Sequence, residues 1–459
     1  MLKLRGKKLW QHGNNDLTEG PILQKLALFV APLLLTNLLQ QLYSTIDLVI
    51  IGRFAGKQAF AAVGATGYLV TLLLGLLFGL ASGVAVNIAQ LKGEGNYCAL
   101  SLMIHTAYAL AIMAGFILMI VGILSSRLLL IMQDTPEAIF DGAWKYLIYT
   151  FIGLVPGIIY NFGAAILQAL GDSRRPLQLL LLCSFVNLCL DLLFVAVFSW
   201  GIDGAAIATV LAQIVSASVL TFYLTHVTAD HRLYINKIKL HLPSLIKIIK
   251  IGLPASLQAT VLNYSNVYIQ TMLNGFGVTA VAGSTAVTRI DGFFCLYFNA
   301  LGNGITTFVG QNYGARRFSR IKRGVHSLLA FGLISGFILC QLAAYYRFNL
   351  MAIFTVDESI LEAGSELFMA YIPYFFLMAL MEILSGTLRG LGNAVVPMAI
   401  YIFGICIFRC IYVFIALNIN HTLATLFGVY PWSWVVTSTL LILAYIWYSR
   451  RKIAQTTDL

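Results

Sequence analysis

The sequence predicts an all-α polytopic membrane protein with twelve transmembrane helices, arranged as two parallel six-helix lobes. Three observations support this fold class: an apolar composition, twelve long apolar runs and an internal repeat that spans the chain. Of the 459 residues, 59% are hydrophobic and only 10% are charged. Soluble domains carry about 25% charged residues, so a water-soluble fold could not cover this much apolar surface.

The apolar runs are long enough to cross a bilayer, because a helix of ~20 residues spans the ~30 Å hydrocarbon layer. The first half of the chain contains six such spans, near residues 26–51, 60–90, 98–124, 143–169, 177–199 and 204–226. The second half contains six more, near residues 246–273, 279–309, 324–346, 366–388, 396–417 and 431–449. We number these spans 1 to 12.

The two halves repeat the same residues at an offset of about 221 positions, which indicates a duplicated module and not a short-repeat solenoid. The end of span 2 recurs at the end of span 8: Gly83, Gln90 and Gly93 return as Gly304, Gln311 and Gly314. A second segment recurs at the same offset: Leu167, Leu170, Gly171 and Pro176 return as Leu388, Leu391, Gly392 and Pro397. Pro32 has its counterpart in Pro254. A repeat with an even number of spans starts both copies on one side of the membrane, and such parallel repeats are usual in alternating-access transporters.

The basic residues predict that both termini are cytoplasmic. In this orientation about 22 of the 29 Lys and Arg residues lie inside and about five outside, which is the positive-inside bias of membrane proteins. The basic stretches that set this orientation are residues 3–8, 174–175, 232–250, 316–323 and 450–452. The net charge of +11 is therefore a topology signal, and we expect no nucleic-acid partner.

The polar stretches predict the organisation of the chain. We expect a cytoplasmic N-terminal segment (1–25), a first lobe (26–227), a cytoplasmic linker (228–244), a second lobe (245–449) and a cytoplasmic tail (450–459). The first span is expected to be retained, because it is too long for a cleaved signal. The seven cysteines show no CxxC and no metal spacing, so we interpret them as small apolar residues.

Ionisable residues inside the hydrocarbon layer are candidate functional groups, because a charge there costs from about 2.5 to more than 10 kcal/mol. Asn187 and Asp191 are four residues apart in span 5 and share one helix face. Asp47 near the end of span 1 and Thr209 near the start of span 6 lie at a similar depth, roughly 6 to 12 Å from the outer boundary. Two carboxylates close together in a low dielectric must share a proton or capture a cation. The sequence therefore predicts an ion site where spans 1, 5 and 6 converge.

Simpler interpretations stay open for some ionisable residues. Asp47 could pair with Arg53 or Lys57 at the membrane interface. Arg289 and Asp291 in span 8 are two residues apart and point to different helix faces. They could form structural pairs with other helices or could contact a substrate.

Pro32 lies fifteen residues before Asp47, roughly 22 Å along a straight helix, and it removes one backbone hydrogen bond. A bend at Pro32 could change the face that Asp47 presents, or it could be a static kink that helps packing. Glu382 lies close to the turn that ends span 10 and could sit near the cytoplasmic boundary, and His105 is interpreted as a packing residue. Small residues at four-residue spacing in span 2 predict a close helix contact: Gly75, Gly79 and Gly83.

The chain resembles the multidrug and toxic compound extrusion (MATE) family over nearly all its length. The resemblance rests on Pro32 with Asp47, the repeated Gly83, Gln90 and Gly93 pattern, the LQALGDSRRP and LRGLGNAVVP segments, and the NLCLDLLF segment. It implies the MATE fold, in which two six-helix lobes form a V-shaped cavity that faces each side of the membrane in turn. It also implies an antiporter of the bacterial plasma membrane, and not an enzyme, that exports amphipathic, often cationic organic compounds against inward Na⁺ or H⁺.

The resemblance also implies functional residues. One branch of the family uses carboxylates in spans 7 and 10, but span 7 has no acidic residue here and Glu382 in span 10 matches that branch poorly. The sequence therefore favours the branch that is coupled through the first lobe, similar to DinF-like and MepA-like members. In that branch the ion site falls on Asp47, Asn187, Asp191 and Thr209, with Tyr43 and Asn161 around it.

A cavity for varied amphipathic cations needs aromatic and Met surfaces with few fixed hydrogen-bond donors. Candidate cavity residues in spans 7, 8 and 10 are Gln258, Asn263, Asn266, Arg289, Asp291, Phe294, Tyr297, Met378 and Glu382. We expect no cofactor other than the coupling ion, Na⁺ or H⁺. The expected partners are small organic substrates and membrane lipids, and the protein is expected to act as a monomer.

Three alternatives fit the sequence less well. A flippase for a lipid-linked precursor would need a strongly basic cavity, and only Arg289 and Arg409 lie inside the spans. A membrane-embedded enzyme would need a metal or nucleophile constellation, and the sequence has no HExxH. A transporter of the major facilitator class would carry a basic loop between spans 2 and 3, where this chain has only LKGEGN.

Overall fold

The computed structural model describes residues 16–227, 231–355 and 357–457, and all regular structure within these ranges is helical. The helices of the first half are α1 (Ile22–Ile50), α2 (Lys57–Glu94), α3 (Tyr97–Met132), α4 (Glu137–Ala169), α5 (Arg174–Asp191) and α6 (Gly201–His226). Those of the second half are α7 (Leu242–Asn274), α8 (Val278–Gly314), α9 (Phe318–Tyr345), α10 (Arg347–Ala352), α11 (Glu358–Tyr371), α12 (Leu377–Gly390), α13 (Val395–Tyr401), α14 (Phe408–Ile419), α15 (Leu423–Phe427) and α16 (Val429–Thr457). The basic stretch at 3–8 and part of the linker lie outside the described residues.

The predicted fold class is confirmed. Within the described ranges, nine helical segments are long and apolar enough to cross a membrane, and α11 with α12 forms a tenth span that is bent by 46°. Two more helices, α2 and α8, are 38 and 37 residues long and pack against each other. Spans 1 to 9 correspond to α1 to α9, span 10 to α11 and α12, span 11 to α13 and α14, and span 12 to α16.

The internal repeat extends to the backbone of the turns. The α4–α5 turn has a left-handed Gly171 at φ 87°, and the α12–α13 turn has Gly392 at the same φ. The helices α2 and α8 likewise follow glycines with positive φ, Gly56 and Gly277. Only glycine adopts this conformation without a steric penalty. The duplicated sequence therefore specifies the same helix boundaries twice.

Each lobe has its own hydrophobic core, and the two halves of the chain exchange helix ends. The first half of α1, with Leu26 and Leu33, packs into the core of the second lobe. The start of α7, with Ile248, packs into the core of the first lobe. The contacts between lobes follow the same symmetry, because α1 packs on α8 and α7 packs on α2.

The lobes meet closely at one end of the molecule and diverge toward the other. We call the end where α2, α4, α8 and α12 finish the closed end. A Cβ atom added to Gly93 or Gly314 there would overlap a backbone oxygen of the opposite lobe. Nearer the starts of α2 and α8, a Cβ atom at Gly75 or Gly292 would meet no described atom within 4 Å. A cleft therefore opens between α2 and α8 toward the opposite end, which we call the open end.

The predicted small-residue face of span 2 is formed in part. Gly79 lies against Ser256 of α7, and Gly83 lies against the α7 backbone at Ile248 and Gly252. Gly75 belongs to the diverging part of α2 and has no such neighbour. The close contact therefore joins α2 to α7 over the half of α2 nearer the closed end.

Candidate functional site

Asp47 and Asp191 lie together inside the first lobe, toward the open end. Asp47 is 8% exposed and Asp191 is 0% exposed. Each carboxyl group interacts electrostatically with the other, and Asn187 lies beside Asp191 on the same face of α5. Two buried carboxyl groups on different helices therefore face each other, as the spacing in the sequence predicts.

The backbone around the two carboxyl groups is irregular, which the sequence does not predict. α1 continues from Ile50 into a π-helical segment, Ile51–Ala55, and α5 continues from Asp191 into another, Leu192–Val197. These two segments pack against each other. π-helical turns are rare and are frequent at functional sites, because the wider turn leaves backbone groups free to rearrange.

Polar groups around the carboxyl pair lie close to one another, but several of their atoms form no hydrogen bond of ordinary geometry within the described residues. Tyr43 and Thr209 have neighbouring hydroxyl groups, and Tyr43 also interacts with both carboxyl groups. Six buried atoms in this cluster have no hydrogen-bond partner within the described ranges: Tyr43 hydroxyl, Asp47 Oδ1, Asn187 Nδ2, both Asp191 Oδ atoms and Thr209 Oγ1. Leaving one buried polar atom unsatisfied costs about 1–3 kcal/mol. The carboxyl and hydroxyl oxygens of this cluster suit a ligand that supplies positive charge or protons, whereas Asn187 Nδ2 is a hydrogen-bond donor.

The interfacial interpretation of Asp47 is not supported. The side chain is buried, and among the described residues neither Arg53 nor Lys57 forms an ion pair with it. Burial without a cationic partner means that charge on this carboxylate must be balanced by a bound ion or removed by a proton.

Two further side chains belong to this region and were not found by sequence reasoning. Tyr146 of α4 interacts with both Asp47 and Asp191. Gln213 of α6 follows Thr209 by one helical turn, and its buried Oε1 has no hydrogen-bond partner in the described part of the chain. Tyrosine near the end of a span is common at membrane interfaces, so the sequence offers no signal that distinguishes Tyr146.

Two predicted residues lie away from the carboxyl pair. The amide of Asn161 donates a hydrogen bond to Gly157 of its own helix at 2.8 Å. Asn161 is fifteen residues from Tyr146, roughly 22 Å along α4. Pro32 is buried in the half of α1 that packs in the second lobe, and its carbonyl accepts a bond from the Thr36 hydroxyl at 2.8 Å.

In the second lobe, Asp291 of α8 accepts a hydrogen bond from the Tyr371 hydroxyl at 2.8 Å. Tyr371 stacks on Tyr430 at 5.0 Å between ring centroids, and Phe375 packs on Trp434 at the same distance. Phe294 joins this aromatic cluster through Phe375, at 5.9 Å. Half-buried Asp291 therefore lies beside an aromatic cluster in which Tyr371, Phe375 and Trp434 are buried and only Phe294 and Tyr430 are half-buried.

The two arginines predicted inside the spans of the second lobe, Arg289 and Arg409, lie in different environments. Arg409 is 2% exposed and donates hydrogen bonds to Ser265, Asn266 and Ser433, while its guanidinium lies 4.5 Å from the centre of the Tyr430 ring. Arg289 is exposed and is not paired with Asp291. The two arginines therefore do not form one basic surface.

Glu382 is buried and bonded within its own lobe. It accepts a hydrogen bond from Tyr401 at 3.3 Å and lies 3.9 Å from Arg389. Close by, Gln258 donates to Ser385 at 3.1 Å. These contacts lie toward the closed end, as expected from the position of Glu382 beside the span 10 turn.

The remaining candidate cavity residues are spread over several environments. Met378 packs in the hydrophobic core, whereas Asn263 is exposed. Tyr297 forms a hydrogen bond with Ser335 of α9 at 2.6 Å. His105 is buried and accepts a hydrogen bond from the Tyr234 backbone at 3.0 Å, so it is a satisfied packing residue.

Sequence comparisons relate most of the chain to multidrug resistance proteins. A family model described as MatE matches residues 32–193 and 254–415, which are the two repeats. The probable multidrug resistance protein YoeA of Bacillus subtilis (strain 168) is 27% identical over 442 residues, covering 94% of each chain. The probable multidrug resistance protein YpnP of the same organism is 31% identical, covering 67% of this chain and 68% of the relative.

Solved structures share the fold. A MATE structure in the bent conformation superimposes with a TM-score of 0.88 at 18% identity, covering 98% of this chain and 99% of the other. The Vibrio cholerae MATE transporter VcmN in its bent form gives a TM-score of 0.86 at 20% identity, covering 93% and 96%. Together with the two matched repeats, these likenesses show that the chain belongs to the MatE family of membrane transporters, which are not enzymes.

Proposed function

We propose that this protein is an antiporter that exports amphipathic, often cationic organic compounds in exchange for inward Na⁺ or H⁺. The observation that carries the proposal is the cluster of six unpartnered buried polar atoms around Asp47 and Asp191. Multidrug relatives support the transport of organic compounds. The coupling ion is the co-substrate of the exchange, and no resident cofactor is required.

The carboxyl pair supplies a physical basis for coupling. When Asp47 and Asp191 carry a proton or a cation, their mutual repulsion is removed and the helix ends can close around them. When the ion leaves, two like charges remain in a low dielectric and favour a state that admits water. Because α1 contacts both lobes, a change at its Asp47 end can be transmitted to the arrangement of the lobes.

The proposed site as a whole suits either ion. Oxygen atoms of Asp47, Asp191, Asn187 and Thr209 are the hard ligands that Na⁺ prefers, and a carboxyl pair can hold a single shared proton. Tyr43 and Tyr146 lie beside the pair and can donate hydrogen bonds to whichever carboxyl oxygen remains charged.

On the substrate side, the half-buried carboxylate of Asp291 favours a cationic compound, and half-buried Phe294, three residues further along α8, offers an aromatic ring. A carboxylate attracts the charge of such a compound, and aromatic faces bind its flat surface without fixed hydrogen bonds.

The flippase alternative would need a basic surface for phosphate. Arg409 instead donates its hydrogen bonds to Ser265, Asn266 and Ser433.

Drug efflux from proteoliposomes tests the proposal. The purified protein is reconstituted with ethidium as the cationic probe, and Na⁺ and proton gradients are imposed separately. We expect ethidium to move against its own gradient under at least one of the two ion gradients. Movement that is the same with and without both gradients would overturn the proposed antiport.

The predicted plasma-membrane location, cytoplasmic termini and monomeric state are part of the same proposal.

A further inference from the structure

Two glutamines at the closed end join the lobes in the same way. Gln90 of α2 donates a hydrogen bond from Nε2 to the backbone carbonyl of Gly390, at the end of α12, over 2.8 Å. Gln311 of α8 donates from Nε2 to the carbonyl of Ala169, at the end of α4, also over 2.8 Å. The repeat offset of about 221 residues places donor on donor and acceptor on acceptor. Each bond runs from one lobe to the other.

The backbones at this crossing approach too closely for any side chain. Gly93 lies against the carbonyl group of Gln311, and Gly314 lies against the carbonyl group of Gln90. The same glutamines therefore supply both the side-chain donor and the backbone surface of the contact. Glycine permits such an approach because it has no Cβ atom. The four residues form one unit, which we call the glutamine latch: Gln90, Gly93, Gln311 and Gly314.

One half of the latch carries an additional contact. The backbone N–H of Leu17 donates to Gln311 Oε1 at 3.2 Å, so both ends of this amide are bonded. The carbonyl of Leu17 accepts from Asn312 Nδ2 and from Arg320 Nε, each at 3.2 Å. Leu17 itself is 2% exposed. The chain just before α1 is therefore fastened across the end of α8.

The same segment reaches the first lobe. Asp16 lies near Lys92 of α2, and Lys92 donates to the carbonyl of Leu170. Although burial disfavours the charged form, hydrogen bonds from Thr18 and the charges of Lys92 and Arg317 hold the pKa of Asp16 below its ordinary value. Asp16 thus stays charged at neutral pH, between a basic residue of each lobe.

We propose that the glutamine latch is the gate that holds the closed end shut, and that its two interlobe bonds must break for the cleft to open toward this end. The Gln311 half is the stronger of the two, because Gln311 is fully buried and also holds Leu17, whereas Gln90 is half-buried. The transport cycle then requires both amides to lose a carbonyl partner in the opposite lobe.

The expected effect follows from the two bonds. A net hydrogen bond changes an equilibrium constant by about three- to tenfold, and more when a buried partner is left unsatisfied. Replacing Gln90 by Leu should raise the ratio of open to shut molecules about threefold or more. Replacing Gln311 should raise it about tenfold, and the double variant more than either single one.

Spin-label distance measurements on the full-length protein in nanodiscs test the proposal. The labels are placed on Cys98 and on Ser319→Cys, exposed positions related by the repeat at the starts of α3 and α9. The other six cysteines are replaced. The control is Gln341→Leu, because Gln341 also donates a side-chain hydrogen bond to a backbone carbonyl, that of Pro373, but within one lobe. The Gln90→Leu/Gln311→Leu variant should gain a longer-distance population, and Gln341→Leu should not.

The proposal would be overturned if the double variant gave the same distance distribution as the protein with the unmodified latch. It would also be overturned if Gln341→Leu shifted the distances as much as the double variant does. If the Leu variant does not purify as a monodisperse protein, Gln90→Asn/Gln311→Asn keeps the amides but shortens their reach, and it should shift the distances in the same direction. An unchanged distribution in this variant would also overturn the proposal. The measurement uses no ion gradient and no drug, so its outcome is independent of the proposed antiport.

Discussion

The carboxyl group of Asp191, the last residue of α5, faces that of Asp47, which lies three residues before the end of α1, and both helices then continue as π-helical segments. The two carboxyl groups and the two irregular segments form one structural unit, because the segments also contact each other. An ion bound between the carboxyl groups would therefore act directly on two helix ends at which the regular α-helical hydrogen bonding is interrupted.

The carboxyl pair is expected to act as one unit in transport. Asp47→Asn and Asp191→Asn should each reduce ion-driven ethidium efflux to background, and the double variant should lose no more than either single one. The reason is that residues which share one bound ion are strongly non-additive. Initial efflux rates in proteoliposomes measure this, with Asp141→Asn as the control for an exposed carboxylate on α4. Independent, additive losses would argue against a shared site.

Tyr146 is expected to assist the pair through its hydroxyl group. Tyr146→Phe keeps the ring but removes the hydroxyl, so the ion-driven efflux rate should fall about tenfold or more, because one hydrogen bond to a charged group contributes about 1.5–3 kcal/mol. Tyr149→Phe, three residues further along α4, should leave the rate unchanged. Equal rates for Tyr146→Phe and the unmodified protein would remove Tyr146 from the site.

Gly93 is expected to be intolerant of a side chain, whereas Gly75 is not. Gly93→Ala places a Cβ atom against the Gln311 carbonyl, so the free energy of unfolding should fall by about 1–3 kcal/mol. The melting temperature in detergent should fall with it. At Gly75 a Cβ atom meets no neighbour among the described residues, and alanine favours helix, so Gly75→Ala should be neutral or slightly stabilising. Thermal-shift measurements on both variants check this, and equal melting temperatures would contradict the close crossing of α2 and α8.

Asp291 is expected to select for charge in the substrate. Asp291→Asn should raise the KM for ethidium about tenfold, because a carboxylate that faces a bound cation is replaced by a neutral amide. The KM for an uncharged aromatic substrate should change less than twofold. Tyr371→Phe, which removes the hydroxyl bonded to Asp291, serves as a second variant. Equal changes for charged and uncharged substrates would contradict a direct role of the carboxylate.

Much of the fold could be predicted from the sequence, because lipid forces every backbone polar group into helices and duplication repeats each boundary. Gly171 and Gly392 illustrate this, since both end a helix at the same offset and with the same φ. The bend between α11 and α12 was not predicted. Neither were the π-helical segments after Ile50 and Asp191, because a single extra residue per turn leaves no clear periodic signal in an apolar run.

The candidate ion site was predictable only where charge stands out in hydrocarbon. Asp47 and Asp191 met that criterion, Asn187 followed from its place on the helix face of Asp191, and the structure brings the three together. Tyr146 and Gln213 did not, because tyrosine and glutamine are tolerated in many helix positions. The contacts of the glutamine latch were not predicted either. Gln90 and Gln311 were visible in the sequence as a repeated pattern, but their hydrogen bonds to Gly390 and Ala169 depend on how the lobes pack.

The most direct test of ion coupling at the carboxyl pair compares two transport modes of Asp191→Asn in proteoliposomes. Exchange of labelled for unlabelled ethidium at equal concentrations requires only that the protein folds and changes conformation, whereas uphill accumulation also requires the ion. We expect Asp191→Asn to retain the exchange and to lose uphill accumulation under every ion gradient that drives the unmodified protein. Uphill accumulation by Asp191→Asn at the unmodified rate would contradict the account.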